Sequence, residues 1–127
     1  MTINENVSVN NNTDKQGGSS AIGNGYQDGT TFDSHTNVTS ANVKLIINGG
    51  KFTGGLNTIK NDDWAILEVN GGVFENNTQQ CIMNWNEVTI TGGIFTGKPN
   101  SIYNGYDNDS MDKGTLKITG GEFNGEI

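Results

Sequence analysis

Arginine is absent from the 127-residue sequence, and proline, cysteine and histidine each occur once. The basic residues are seven lysines against fourteen acidic residues, so the formal charge is −7. This balance argues against nucleic acid or an anionic membrane surface as a partner, because both require concentrated positive charge. Cys81 has no partner for an intrachain disulfide, and His35 has no second histidine or nearby cysteine. We therefore expect neither a zinc site nor a catalytic triad.

Long apolar runs are also missing. No stretch approaches the roughly 18 apolar residues that a membrane-spanning helix requires. The segment after Met1 has neither a basic start nor an apolar stretch, so no signal peptide is expected. The hydrophobic content of 31% is low for a domain that must fill a broad core. It is sufficient for a solenoid, whose narrow core takes a few residues from each repeat.

One eight-residue pattern is repeated four times, with starts 22, 21 and 28 residues apart. Each copy alternates apolar and other residues, continues with a glycine pair and ends on phenylalanine. The alternation predicts a short strand with one buried face, and the glycines predict a corner of the backbone. The phenylalanine then re-enters the core. The four copies are Leu45–Phe52, Leu67–Phe74, Val88–Phe95 and Leu116–Phe123.

A second pattern, Ile-x-Asn, follows each of the first three copies, 12 or 13 residues beyond the last apolar residue of the strand, as Ile59–Asn61, Ile82–Asn84 and Ile102–Asn104. If equivalent residues stack about 4.8 Å apart, the isoleucines form an inner column and the asparagines a column at a bend. Asparagine tolerates a left-handed backbone, and its side chain can donate to the same amide one repeat away. The alternative is that Asn61, Asn84 and Asn104 merely occupy turns.

These strands, glycine corners, stacked aromatics and asparagine bends resemble the right-handed parallel β-helix of the pectate-lyase-like superfamily. The form Ile-Thr-Gly-Gly-x-Phe resembles repeats of bacterial surface proteins and of phage virion and tail proteins. The resemblance covers residues 45–127 well and residues 1–44 poorly. It implies an all-β, right-handed parallel β-helix (β-solenoid) of about 21–28 residues per coil, with four full coils and a degenerate first coil. It does not imply an activity, because the superfamily holds enzymes, adhesins and virion parts alike.

The chain is expected to form a single domain. Residues 1–26 are predicted to be a degenerate capping coil, with Val7–Val9 as its strand and Ile22–Asn24 as its Ile-x-Asn segment. Residues 27–43 are predicted to be an insertion loop, and residues 44–127 the repeat coils, with a second loop insertion at 106–114. Ile127 aligns with Leu56 of the first full coil, so the last coil is incomplete. We therefore expect the C-terminal edge, residues 116–127, to meet another copy, a partner protein or a continuation of the chain.

Candidates for chemistry are few, and no catalytic, metal-binding or cofactor-binding residue is predicted. A glycosidase requires two carboxylates about 5–9.5 Å apart, and Asp63 and Glu87 are the pair that neighbouring corners could bring together. Asp107–Asp112 alternates acidic residues like a calcium loop but lacks the glycine and the distal glutamate, so it is interpreted as a surface loop. Cys81 aligns with Thr58 and Ser101, which suggests a row of small residues.

Four aromatic residues, Tyr26, Trp64, Trp85 and Tyr106, follow the asparagine bends by a few positions. If the coils stack, these rings line one edge of the solenoid. Aromatic faces beside amides and carboxylates suit sugar rings, and tryptophan and tyrosine are also enriched in protein interfaces. A third interpretation is that the rings fold over and cover the end of the core.

These features predict a non-enzymatic structural or interaction module of a larger assembly at a virion or cell surface. A phage virion component, such as a capsid decoration, head-fibre or tail-fibre part, is the favoured hypothesis. Its expected partner is a protein or a second copy at the C-terminal edge. The alternative is a glycan-binding adhesin module that uses the aromatic edge, and the third is a fragment of a polysaccharide-active enzyme. Neither nucleic acid binding nor membrane insertion is expected.

Overall fold

The computed structural model describes residues 1–12, 20–25, 43–62, 65–105 and 114–127. All regular elements in these ranges are β-strands, so they contain no helix that could span a bilayer. In chain order the strands are β1 (Thr2–Ile3), β2 (Ser8–Asn11), β3 (Ile22–Asn24), β4 (Val43–Ile47), β5 (Lys51–Gly54), β6 (Asn57–Asn61), β7 (Ala65–Val69), β8 (Val73–Asn76), β9 (Gln80–Asn84), β10 (Glu87–Ile90), β11 (Ile94–Gly97), β12 (Asn100–Asn104), β13 (Thr115–Ile118) and β14 (Glu122–Phe123).

The strands form three parallel sheets, and neighbours within a sheet are three strands apart in the sequence. The first sheet has the order β1-β4-β7-β10-β13, the second β14-β11-β8-β5-β2 and the third β12-β9-β6-β3. Three consecutive strands therefore form one repeat, and each repeat lies beside the previous one. This arrangement confirms the prediction of an all-β fold and is compatible with a β-solenoid.

The alternation predicted for the first strand of each repeat is present. In β7, Leu67 and Val69 are fully buried, whereas Ile66 and Glu68 on the other face are partly exposed. The corner that follows leaves no room for side chains: a Cβ added to Gly71 would lie 2.7 Å from the carbonyl oxygen of Asn48. Gly72 has a φ of 113°, a value that L-residues with side chains rarely adopt. The glycine pair is thus required by the close approach of successive repeats.

The four phenylalanines of the repeated pattern lie in one column, as the sequence predicted. Ring centroids are 5.0 Å apart for Phe52 and Phe74, 4.7 Å for Phe74 and Phe95, and 5.0 Å for Phe95 and Phe123. The rings are nearly parallel, with interplanar angles of 11°, 5° and 4°. The first three rings are completely buried. They form the centre of a core completed by rows of leucine, isoleucine and valine from all three sheets.

The N-terminal segment differs from the prediction. Val7–Val9 was expected to match the first strand of the repeat, but that place is taken by β1, in which Thr2 and Ile3 pair with Ile46 and Ile47. Val9 instead pairs with Phe52, in the phenylalanine column. The corner between β1 and β2 has no glycine pair, and Asn6 adopts a φ of 68° there, so the repeated pattern could not be aligned.

The remaining part of the first repeat agrees with the prediction, because Ile22 pairs with Ile59 and Asn24 with Asn61. Val43, expected at the end of the 27–43 loop, already belongs to β4. The rest of that loop lies outside the described residues, as does the 106–114 insertion apart from Gly114. The predicted alignment of Ile127 with Leu56 is wrong.

Its error comes from a shorter final corner. Glu126, only three residues after Phe123, forms a parallel bridge with Asn100. Asn100 pairs with Gln80, and Gln80 with Asn57, so Glu126 belongs to the row of Asn57. The main chain of Glu126 therefore caps the start of β12, where its oxygen accepts from the Ser101 amide at 2.8 Å.

Candidate functional site

The predicted asparagine column is a continuous chain of side-chain hydrogen bonds, here called the inner ladder. Asn24 Nδ2 donates to Asn61 Oδ1 at 2.8 Å, Asn61 to Asn84 at 2.9 Å, and Asn84 to Asn104 at 2.7 Å. Asn84 Nδ2 also donates to the carbonyl oxygen of Thr115 at 3.1 Å, at the start of β13. The inner ladder therefore links the third sheet of one repeat to the first sheet of the repeat after the next, which is a structural role.

A second ladder on the outer surface was not predicted. Asn48 Nδ2 donates to Asn4 Oδ1 at 3.0 Å, Asn70 Nδ2 to Asn48 Oδ1 at 2.9 Å, and Thr91 Oγ1 to Asn70 Oδ1 at 2.7 Å. These four exposed residues, here called the outer ladder, stand at the corner between the first and second sheets. The asparagine or threonine that precedes a glycine pair was the signal that could have revealed Asn48, Asn70 and Thr91, whereas Asn4 precedes no glycine pair.

The predicted aromatic edge can be located at one of its four positions, because Tyr26, Trp64 and Tyr106 lie outside the described residues. Trp85 is buried, with 9% of its surface exposed. Lys60 Nζ lies 4.0 Å from the centroid of the Trp85 ring and 3.0 Å from Asp62 Oδ1. Trp85 is thus packed under a lysine ammonium group, which agrees with the interpretation that the rings cover the core; that the four rings form an interaction or glycan edge stays a prediction.

Residues considered for chemistry give no catalytic centre in the part of the chain that the structure describes. Glu87 is exposed at the start of β10, while Asp63, the residue proposed to pair with it, is outside the described ranges, as are His35 and Asp107–Asp112. Within those ranges no three histidine, cysteine, aspartate or glutamate side chains come close enough to hold a metal ion.

Cys81 occupies the predicted row of small residues. The pairing of the residues on either side of it places Thr58 and Ser101 in the same row as Cys81. All three side chains are completely buried. Cys81 Sγ donates to the carbonyl oxygen of Phe74 at 3.4 Å. Burial raises the pKa of the Cys81 thiol to about 12, so the thiol stays protonated at neutral pH and is a poor nucleophile.

A shallow polar groove of about 230 Å³ crosses the second sheet where its strands end. Thr53 Oγ1 donates to Asn10 Oδ1 at 2.9 Å on its wall, and Lys51 Nζ lies 3.4 Å from Glu75 Oε2. Because amides and hydroxyls dominate this lining, the groove suits a small hydroxyl-rich group. The lining residues are Asn10, Asn11, Asn12, Thr53, Gly54, Glu75, Asn77 and Thr78.

The C-terminal edge, residues 116–127, exposes core side chains. Among the described strands, β13 pairs with β10 alone and β14 with β11 alone. Ile118 is 37% exposed, whereas Ile90 and Val69, its equivalents in the same row, are completely buried. Leu116 and Phe123 are half-buried for the same reason. Within the described residues, this edge therefore exposes both backbone hydrogen-bonding groups and apolar surface.

Comparisons of the chain with protein-family models, with curated proteins and with solved structures give no match. The function therefore has to follow from the surfaces of the molecule. Two surfaces stand out among the described residues: the C-terminal edge, which exposes apolar side chains of the core rows, and the polar groove.

Proposed function

We propose that the chain is a non-enzymatic structural module of a larger assembly, built as a right-handed parallel β-helix with four full coils and a degenerate first coil. The observation that supports this function most directly is the C-terminal edge. It continues three apolar rows and leaves strand edges without a neighbour among the described residues. The resemblance to Ile-Thr-Gly-Gly-x-Phe repeats favours a phage virion component, such as a capsid decoration, head-fibre or tail-fibre part.

The occupant of the C-terminal edge is a second copy of the chain. The opposite end of the molecule presents edge strands of the same sheets, with Ile3 in the row of Ile118 and Val9 in the row of Phe123. Head-to-tail docking would continue both rows and bury side chains whose full burial stabilises by about 1.5–3 kcal/mol each. Such a heterologous contact builds a rod instead of a closed dimer, which suits a fibre.

The test is Ile118→Lys, which places a charge in the apolar row of the edge. We expect the unmodified chain to form larger species as its concentration rises in sedimentation velocity. Ile118→Lys should weaken this association by at least about tenfold, because a buried unpaired ammonium group is strongly unfavourable. Ile94→Lys is the matched control, since Ile94 is 41% exposed on the outer face of β11, one strand inside the edge, and is not in the apolar rows that docking would continue.

Three outcomes would contradict the proposed docking. The unmodified chain could remain monomeric at its highest soluble concentration, which would exclude a second copy as the occupant. Both lysine variants could weaken association equally, which would place the contact elsewhere. A longer natural chain whose next segment covers Ile118 would show that the edge is internal to the fold.

A second candidate function, glycan binding at a cell or virion surface, is favoured by the polar groove. The groove is smaller than the roughly 300–1,000 Å³ pockets that enclose drug-sized ligands, so it fits a single sugar residue. The charge of −7 favours a neutral glycan over an acidic one. On an array of neutral glycans, Thr53→Val should reduce binding by about two- to tenfold, the effect of one hydrogen bond.

Thr96→Val is the control for this candidate, because Thr96 stands in the same row of the second sheet but outside the groove. It should bind glycans like the unmodified chain. Failure of any neutral glycan to bind above background, or equal losses for both threonine variants, would exclude the groove as the site.

A further inference from the structure

Five Asn-Gly dipeptides occur in the chain, and all five lie in described residues. This dipeptide is chemically labile, because glycine has no Cβ to hinder attack of its backbone nitrogen on the preceding asparagine side chain. Whether the attack occurs in a folded protein depends on how firmly the asparagine side chain and the glycine amide are held. The five dipeptides are Asn24-Gly25, Asn48-Gly49, Asn70-Gly71, Asn104-Gly105 and Asn124-Gly125.

The inner ladder holds two of these asparagines. Asn24 is buried, and its Nδ2 donates to Asn61 Oδ1 and to the carbonyl oxygen of Ile66, at 2.8 and 3.0 Å. Asn104 accepts from Asn84 at 2.7 Å and donates to the Gly114 carbonyl oxygen at 2.7 Å. The attacking atom is held as well, since the Gly105 amide donates to the Asn84 carbonyl oxygen at 2.8 Å.

The outer ladder holds the next two. The side chain of Asn48 donates to Asn4 and accepts from Asn70, and Asn70 also accepts from Thr91 at 2.7 Å. The side-chain amides of Asn48 and Asn70 are each hydrogen-bonded to the repeat before and the repeat after. Rotation of either side chain toward the following glycine therefore breaks two hydrogen bonds. Asn48 and Asn70 also lie between paired strands of neighbouring repeats, where local opening is costly.

Asn124 is the exception. It is exposed and directly follows β14, and its side chain donates to Glu122 Oε1 at 3.0 Å, two residues earlier in the chain. It lies on the C-terminal edge, where β14 pairs with one described strand, so local opening requires fewer contacts to break. Of the five sites, it is the one whose side chain does not bond to a neighbouring repeat.

We propose that Asn124-Gly125 is a site of spontaneous deamidation in the folded chain. The Gly125 amide loses its proton to solvent base, and its nitrogen attacks Cγ of Asn124. The new C–N bond forms as the side-chain nitrogen leaves as ammonia, which gives a succinimide. Water then opens the ring at one of its two carbonyl groups to yield aspartate or isoaspartate. No oxidant, reductant or enzyme is needed.

The product changes the C-terminal edge. A carboxylate at position 124 stands between Glu122 and Glu126 and adds a third negatively charged side chain to these five residues. Repulsion weakens the pairing of Glu126 with Asn100 and Ser101, which anchors this segment to β12. If the edge docks a second copy, as the proposed function holds, deamidation lowers the affinity of aged chains. The modification itself does not depend on that function.

Peptide mapping by mass spectrometry tests the site, on folded chain aged in mildly alkaline buffer and on chain aged in concentrated urea. In the folded chain we expect Asn124 to convert at least about tenfold faster than Asn48 or Asn70, since edge segments open more readily. In urea the five rates should converge. Equal rates at Asn124, Asn48 and Asn70 in the folded chain would overturn the proposal.

Two variants separate the site from its consequence. Thr91→Val removes the donor to Asn70 Oδ1 and should accelerate conversion of Asn70 while leaving Asn124 unchanged; no change at Asn70 would show that the outer ladder gives no protection. Asn124→Asp reproduces the added charge and should weaken self-association in sedimentation velocity. If Asn124→Asp associates as strongly as the unmodified chain, the proposed weakening of docking by deamidation is wrong. The deamidation itself is tested separately by the peptide mapping.

Discussion

Phe74→Asp is expected to unfold the protein, whereas Glu75→Ala, one residue further along the same strand, is expected to leave it folded. Phe74 is completely buried, and its ring stacks on Phe52 and Phe95 at centroid distances of 5.0 and 4.7 Å. Removing a buried phenylalanine ring alone costs about 3–5 kcal/mol. Burying a carboxylate without a partner adds to that cost, and the total approaches the 5–15 kcal/mol that stabilises a typical domain.

Glu75 faces outward, and its carboxylate lies 3.4 Å from the ammonium group of Lys51. An exposed ion pair of this kind contributes about 0–1 kcal/mol, so Glu75→Ala should change the free energy of unfolding by no more than that. Urea titrations followed by circular dichroism measure both variants. Phe123→Ala is a graded control, because Phe123 is half-buried and should cost less than Phe74→Ala. Equal effects of Phe74→Asp and Glu75→Ala would contradict the stacked core.

The sequence predicts this core well because its elements are repeated with side-chain identity preserved. Phenylalanine, the glycine pair and Ile-x-Asn each recur at matching positions, and a residue that must stack on its equivalent is constrained in every repeat. The corners are constrained less. Between β1 and β2, Asn6 with a φ of 68° replaces the glycine corner, and between β14 and Glu126 the connection is shortened. The predicted alignments of Val7–Val9 and of Ile127 therefore failed at corners that lack the repeated pattern.

The surfaces were harder to predict because they depend on contacts between different rows. Trp85 follows its asparagine bend as expected, but its exposure is decided by Lys60 of the preceding repeat, which covers the ring. The polar groove likewise combines residues of three successive repeats, from Asn10 to Thr78. No single segment of the sequence carries such a site. The outer ladder was detectable, since Asn48, Asn70 and Thr91 precede glycine pairs in register.

Asn84→Leu is expected to destabilise the protein by about 2–4 kcal/mol, because it removes the centre of the inner ladder and leaves buried polar groups without partners. Asn84 is completely buried. Its side chain accepts from Asn61 and donates to Asn104 and to the Thr115 carbonyl oxygen. Leucine keeps the branched shape of the side chain but none of these bonds, and it is larger than asparagine, so the loss combines the missing hydrogen bonds with some overpacking and contains no cavity contribution. Urea titration gives the free energy of unfolding.

Asn70→Leu is the matched control, since it makes the same substitution in the outer ladder, where water can replace the lost partners. It should cost about 0.5 kcal/mol or less, as exposed substitutions usually do. Asn84→Asp separates donor from acceptor: it keeps the oxygen that accepts from Asn61 but replaces the donor nitrogen with a second oxygen, which places a carboxylate against the Thr115 carbonyl and Asn104 Oδ1. That environment raises the pKa of the new carboxyl group, so Asn84→Asp should be most stable in acid and lose stability as the pH rises through the raised pKa. Equal costs for Asn84→Leu and Asn70→Leu would mean that the inner ladder contributes no more than a solvated surface chain, and the three sheets would then be held together by the apolar rows alone.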